Sequence, residues 1–313
     1  MKRLRNSCTN PYDGKTPAER GQEVKAFLES LRFSNPMASL DNAGRDECPK
    51  CTKRRQYYCY DCLEVCRPQS HPPALSLPIK VYVILHPGEI RGKSTSLAAS
   101  TISPDITVIV YPNVPEHLSP DDTVVLYPSE HAVGVEELFG DASTSGDVET
   151  GKVAESKGGH TQYKNVVFID STWRQSRQIA RDERVKAFKH VRIRSRESLF
   201  WRFQDNDPSY LATVEAIYYF LREFVTAANR AAAPTKAVDG DVEQSHYHGE
   251  VDDLMYYYVH QYITIQRQYS APAIAGDETA AAKKEFTTRH FEGYVLEGVD
   301  WNALLNKCGK SDK

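Results

Sequence analysis

Apolar and polar positions fall in blocks along this chain, and five short runs predict strands: Ile79–Leu85, Asp105–Val110, Asp122–Leu126, Val166–Ile169 and His190–Ile193. Val, Ile, Tyr and Thr dominate them, and turn residues bound them. Helical spacing falls elsewhere. Leu211, Val214, Ile217, Leu221 and Val225 form one stripe over Leu211–Val225. Leu254, Tyr258, Tyr262 and Ile265 form another over Asp253–Gln266. Ser171–Ala187 reads as a basic helix, and Thr16–Arg32 as a short one with Pro17 in its first turn. Residues 270–313 give little signal apart from a short helix near Trp301. Nearly continuous apolar strands separated by helices predict an α/β fold with a mostly parallel sheet. Ligands of such sheets bind beyond the carboxyl ends of the strands. The residues there are His86-Pro87-Gly88-Glu89, Tyr111-Pro112-Asn113, Tyr127-Pro128-Ser129-Glu130 and Asp170-Ser171-Thr172-Trp173.

Two stretches interrupt the pattern. Residues 131–163 are rich in Gly, Ser, Thr and acid and predict a mobile loop, and Ala227–Gly249 predicts a disordered link. The plan is a polar segment at 1–45, a cysteine module at 46–68, a main domain at 78–266 with insertions near 131–163 and 227–250, and a C-terminal extension at 267–313. Hydrophobic residues at 40 % and charged residues at 26 % suit a globular chain of 313 residues. No run approaches the ~18 apolar residues of a membrane span, so no membrane partner is expected. The basic start, MKRLRNSCTN, lacks the apolar core of a secretory signal. The expectation is the nucleus and/or cytoplasm, where seven cysteines serve as thiols or metal ligands rather than disulfides. The oligomeric state is not legible.

Cys48-Pro49-Lys50-Cys51 and Cys59-Tyr60-Asp61-Cys62 are two C-x-x-C knuckles seven residues apart. Four such thiolates surround Zn²⁺ tetrahedrally and leave no open position, so the zinc is read as structural. A redox C-x-x-C is the rival reading, and Cys66 is a spare or alternative ligand. Lys50, Lys53, Arg54 and Arg55 offset the thiolate charge or touch phosphate. Gly88-Glu89-Ile90-Arg91-Gly92-Lys93-Ser94 imitates a phosphate-binding loop, but its glycines are one residue too close. A P-loop-like NTPase therefore stays an alternative.

The net charge of −3 hides an uneven chain. Between Arg174 and Arg202 ten Lys/Arg face three Asp/Glu, a local balance of +7 that leaves −10 elsewhere. Such a strip is either a solvated helix face or a footprint for phosphate. Arg174, Arg177, Arg181, Arg192 and Arg194 are its candidate RNA contacts. A zinc-containing RNA-binding module without catalysis fits the same features.

Asp170-Ser171-Thr172-Trp173 supplies a carboxylate, two hydroxyls and an aromatic plate, a set suited to a planar base. Helix capping by Ser171 or Thr172 and packing by Trp173 are the plainer readings. The tetrad resembles the D-x-T-W signature of the DTW-domain family. The knuckles, His86–Glu89, Tyr127–Glu130, Phe200-Trp201-Arg202 and Leu211–Leu221 fit that family in order and approximate spacing over residues 46–266. They resemble its eukaryotic tRNA-uridine aminocarboxypropyltransferases. The resemblance implies a SPOUT-like fold with a knotted C-terminal region and S-adenosylmethionine as donor. It implies transfer of the 3-amino-3-carboxypropyl group to N3 of a uridine in tRNA, at a D-loop position. In that reading Asp170 is the general base, Thr172 orients the uracil and Trp173 shapes the pocket. Tyr127, Pro128, Ser129, Leu211, Thr213 and Glu215 hold the donor. A methyltransferase on the same fold is a further alternative, because which S–C bond breaks depends on placement alone.

Overall fold

The computed structural model describes residues 16–41, 44–139, 161–201, 209–232, 246–270, 295–296 and 298–308. The chain divides into two compact units, one of residues 44–194 and 213–255, the other of 1–43, 195–212 and 256–313.

The first unit opens with two small antiparallel pairs. β1 (Asp46–Glu47) pairs with β2 (Arg54–Arg55), and β3 (Tyr58–Cys59) with β4 (Glu64–Val65). A six-stranded sheet follows, built from β5 (Lys80–Leu85), β6 (Ile106–Val110), β7 (Thr123–Leu126), β8 (Val133–Gly134), β9 (Asn165–Asp170) and β10 (Lys189–Arg192). The spatial order is β6-β5-β9-β7-β10-β8, and every pairing is parallel. The fold is therefore α/β, and all five expected strands lie in this sheet. β8 and a following 3-10 turn, Val135–Leu138, fall where a mobile loop was expected. Ala132, Val135 and Leu138 are buried, and that burial fixes residues 131–139 against the unit. Residues 140–160, the rest of that expected loop, lie outside the described residues.

Register assigns the two faces of the sheet. Ile84, Val125 and Val167 point to one side, where Ile179, Val185 and Phe188 pack on them. Those three come from α3 (Trp173–Ile179), α4 (Glu183–Lys186) and the turn after it. The expected single basic helix is broken there. Asp182 ends the first turn system and starts the second, its carboxylate accepting from Arg184 N and Nε and from Tyr111 Oη. The Arg184 guanidinium, first of all, holds that carboxyl down at about 2. On the opposite side Phe168 meets Phe220, ring centroids 5.7 Å apart. Phe220 belongs to α5 (Thr213–Ala232), whose apolar stripe matches expectation but which continues seven residues past Val225. Residues 227–232 are thus helical rather than a disordered link, and 233–245 lie outside the described residues. α2 (Ser96–Ile102) packs against α5 and β6.

The second unit holds α1 (Pro17–Ser30), α6 (Tyr256–Ser270) and α7 (Trp301–Asn306). Thr16 and Glu19 form a reciprocal capping box on α1. α6 begins three residues later than expected, after a 3-10 turn at Asp252–Met255. Its first turns are buried on every side rather than on one stripe, Tyr256 through His260 all being buried. Tyr256 Oη donates to Pro36 O at 3.1 Å, and Arg267 meets Asp41 at 2.6 Å. Among the described residues no helix is long and apolar enough to cross a membrane.

Candidate active site

The sheet order creates a crevice. β5 connects through α2 to β6 on one side, whereas β9 connects through α3 and α4 to β10 on the other. Adjacent strands whose connections leave in opposite directions mark the topological switch point, where open parallel sheets bind ligands. Asp170, the last residue of β9, is there, paired with Leu85 of β5. Its backbone carbonyl accepts His86 N at 3.0 Å.

Register turns the Asp170 side chain to the face that carries α2 and α5, and both helices begin at it. Ser94 Oγ and Ser96 Oγ each donate to Asp170 Oδ2 at 2.5 Å, and Thr213 Oγ1 donates to Oδ1 at 2.9 Å. Asp170 is only 7 % exposed, and the N-terminal end of the 20-residue α5 favours a negative charge there. Thr95 Oγ1 accepts Val214 N at 3.3 Å, tying the same triplet to the first turn of α5. Ser96 is buried, while Ser94 and Thr213 are half-buried and give the carboxylate its polar outlet. The sequence reading did not single out Thr95 and Ser96. Their signal was three successive hydroxyl residues between a strand and an apolar helical turn.

The imitation phosphate loop is built differently. Its amides are spent on its own turns: Gly88 N on His86 Nδ1, Glu89 N on His86 O, Lys93 N on Ile90 O and Ser94 N on Arg91 O. They do not converge on a common point as a phosphate cradle requires. Thr172 caps α3, its N and Oγ1 donating to Gln175 Oε1 at 3.1 and 2.6 Å. Thr172 N also reaches Glu89 Oε1 at 3.1 Å, which fastens the Asp170 turn to the β5 loop. Trp173 opens α3, and its side chain lies outside the described residues.

Next to β9, the end of β7 carries Tyr127, Pro128 and Ser129. Ser129 Oγ lies 2.8 Å from His190 Nδ1, and the Tyr127 ring stands edge-on to the same imidazole at 5.7 Å. Burial, then the neighbouring His131, holds His190 below its ordinary value, so it is neutral near pH 7. His190 is a third residue that the strand pattern alone did not mark. Glu215 is fully buried in the first turn of α5. Leu211 belongs to the other unit. Arg174, Arg177, Arg181, Arg192 and Arg194 are exposed. Arg192 bonds Ala132 O through Nη1 at 2.6 Å.

The four knuckle cysteines come together as their spacing predicts. The Sγ atoms of Cys48, Cys51, Cys59 and Cys62 all lie within 4.8 Å of one another, and Cys51 and Cys59 are 3.6 Å apart. Sulfurs about 3.8 Å apart are what tetrahedral zinc with Zn–S near 2.3 Å demands, so the donor set fits that ion. Cys66 is buried beside the cluster and is not one of the four. Burial pushes its thiol up to about 11. Lys53 and Arg55 do not face the sulfurs alone, since both pair with Asp61, at 3.1 and 2.9 Å.

A comparison with protein families joins these parts. The DTW domain family model matches residues 47–261, a span that includes the knuckles, the sheet and α5. This chain belongs to the DTW family. The DTW chain is 33 % identical over 264 residues to tRNA-uridine aminocarboxypropyltransferase 1 of Xenopus laevis, covering 75 % of the chain and 86 % of the relative. It is 32 % identical over 287 residues to the protein of that name from Rattus norvegicus, covering 83 % and 90 %. Against the Homo sapiens protein of that name the identity is 30 % over 264 residues, covering 75 % and 82 %. No solved structure matches the DTW chain.

Proposed function

We propose that this chain is a tRNA-uridine aminocarboxypropyltransferase that uses S-adenosylmethionine as donor and alkylates N3 of a uridine in a tRNA D-loop. The observation that carries this reading is similarity, over 75–83 % of the chain, to relatives that bear that activity's name. The crevice suits the chemistry. The sulfonium is already an activated leaving group, so no covalent enzyme intermediate is needed. The bond from sulfur to the aminocarboxypropyl carbon breaks, the N3–carbon bond forms, and methylthioadenosine departs with the electron pair. Placement of the attacking nitrogen behind that carbon, rather than behind the methyl, selects the product.

The N3 proton must leave for N3 to attack. Both Asp170 oxygens already accept hydroxyl donors. Proton removal by Asp170 therefore runs through a half-buried neighbour. Ser94 or Thr213 takes the N3 proton while passing its own to the carboxylate. General-base assistance of this class is worth roughly 10²–10⁴-fold. Tyr127, Pro128 and Ser129, ordered by His190, form the donor side of the crevice with Thr213 and Glu215. Thr172 and Trp173 take the uracil-side roles that the family resemblance implies. Arg174, Arg177, Arg181, Arg192 and Arg194 take tRNA phosphates, the nucleus and cytoplasm being the expected compartments. Cys48, Cys51, Cys59 and Cys62 hold a structural zinc ion, which supplies cross-linking and no reactive position.

The test is mass spectrometry of nucleosides from unmodified tRNA incubated with the protein and S-adenosylmethionine. A uridine heavier by one aminocarboxypropyl group is expected. A methylated uridine would overturn the choice of bond. Unmodified nucleosides with zinc bound and tRNA retained would favour the binding module.

A further inference from the structure

The cysteine module and the Asp170 cradle lie in one compact unit, and a continuous series of contacts joins them. Tyr60 stands between ligands Cys59 and Cys62. Its carbonyl accepts Arg91 Nε at 2.7 Å. Gly92 closes on the Tyr60 ring so tightly that a Cβ there would sit 3.1 Å from Cζ. The Arg55 guanidinium lies 4.1 Å from the centroid of that ring and is itself held by Asp61 at 2.9 Å. Arg91 opens the 3-10 turn Arg91–Lys93, its carbonyl accepts Ser94 N at 3.2 Å, and Ser94 Oγ reaches Asp170 at 2.5 Å. Only two residues, Gly92 and Lys93, therefore separate the knuckle's anchor from the carboxylate's donor.

We propose that Arg91 is a positioning residue that couples the metal-loaded knuckle to the Asp170 carboxylate. This inference rests on the reading of the crevice as the transfer site. The module's strands are two residues long, and its buried cluster consists of cysteines. Order in such a module comes from metal binding, which is lost when the thiolates are freed. The sheet has an apolar core of its own. Losing the metal therefore frees the Tyr60 carbonyl, then Arg91, then Ser94, while β5 and β9 stay in place. A charge-assisted hydrogen bond of this kind is worth roughly 10- to 150-fold in an equilibrium.

The experiment is hydrogen exchange read by mass spectrometry on the full chain, zinc-loaded and after chelation, for wild type, Arg91→Ala and Arg91→Lys. Peptides over 88–96 report the loop, and peptides over 80–85 report the sheet. Chelation is expected to speed exchange in 88–96 by about 10-fold or more and to leave 80–85 unchanged. Arg91→Ala is expected to keep its zinc, to show the faster loop exchange already, and to gain nothing further on chelation. Arg91→Lys, which retains a donor, falls between. On unmodified tRNA, Arg91→Ala should lower kcat about 10-fold or more with KM for tRNA unchanged. Unchanged loop exchange on chelation or in Arg91→Ala overturns the coupling, and so does an equal rise in 80–85. Faster loop exchange with undiminished kcat overturns the positioning role. The exchange results stand apart from the transfer assay, so a wild type that modifies no uridine refutes the function while the coupling is still judged.

Discussion

Asp170→Asn separates chemistry from folding. The wild-type carboxylate accepts three hydroxyls, at 2.5, 2.5 and 2.9 Å. A hydrogen bond to a charged group contributes about 1.5–3 kcal/mol and a neutral one about 0.5–1.5 kcal/mol, so neutralisation loses about 1 kcal/mol per bond. The three together lose about 3 kcal/mol. In the other direction, burying an ionised group costs several kcal/mol that the amide does not incur. Ser94 and Ser96 hydroxyls can turn from donor to acceptor and receive the new amide protons. The two changes nearly cancel, and the variant should fold within about 2 kcal/mol of wild type, or about 8 °C in melting temperature. Turnover should fall roughly 10²–10⁴-fold, because the amide cannot take up a proton. Thermal unfolding and quantitative nucleoside mass spectrometry on the same preparation read both numbers. Turnover within about threefold of wild type would remove the carboxylate from proton transfer. A far larger loss of melting temperature would show that the bonds outweigh desolvation and that Asp170 is first a structural tie.

Three other outcomes are expected. Cys59→Ser should drop bound zinc below one per chain by metal analysis, whereas Cys66→Ser should keep it, because Cys66 is outside the set of four. Arg177→Ala should weaken tRNA binding and flatten the log–log salt dependence by about 0.7–0.9, read by filter binding over a salt series, with circular dichroism unchanged. His260 tests the second unit. Burial holds it at about 4 against its ordinary 6.5, with Asp41 pulling the other way. As pH falls through that window the unfolded chain takes up the proton first, so stability is lost by up to about 3 kcal/mol and then levels off. Denaturant melts between pH 7 and 4 should show this slope, and His260→Gln should flatten it.

The sheet was legible because its central strands are buried on both faces and read as apolar runs, such as Val81–Leu85 and Val166–Phe168. Their boundaries agree with the structure to within a residue or so at each end. The pattern failed where burial is short and local. Val133–Gly134 has only two residues and no period to detect, and it pairs only because β10 offers a partner edge. The break after Ile179 was hidden because Asp182 reads as one more polar helix position until its carboxylate is seen capping α4. The all-round burial at the start of α6 was equally hidden, since an aromatic-rich segment such as Tyr256–His260 shows a stripe whether or not its other faces are covered.

The candidate site could be proposed by residue type, whereas its geometry was opaque. Each C-x-x-C is local, so its meaning survives in the sequence, and the four sulfurs converge as spacing requires. Asp170 could be marked because it ends a strand. Its partners could not, since Ser94, Ser96 and Thr213 lie 76, 74 and 43 residues away along the chain. Only the strand order, with β5 beside β9 and both α2 and α5 beginning over their carboxyl ends, gathers them. That arrangement changes the chemistry that can be inferred. A bare carboxylate at a strand end is a direct base, whereas one enclosed by three hydroxyls works through them. Thr213→Val and Ser94→Ala then become more informative than any change at Asp170 itself. Each removes one route for the proton and leaves the charge, so the variant that slows turnover names the hydroxyl that carries it.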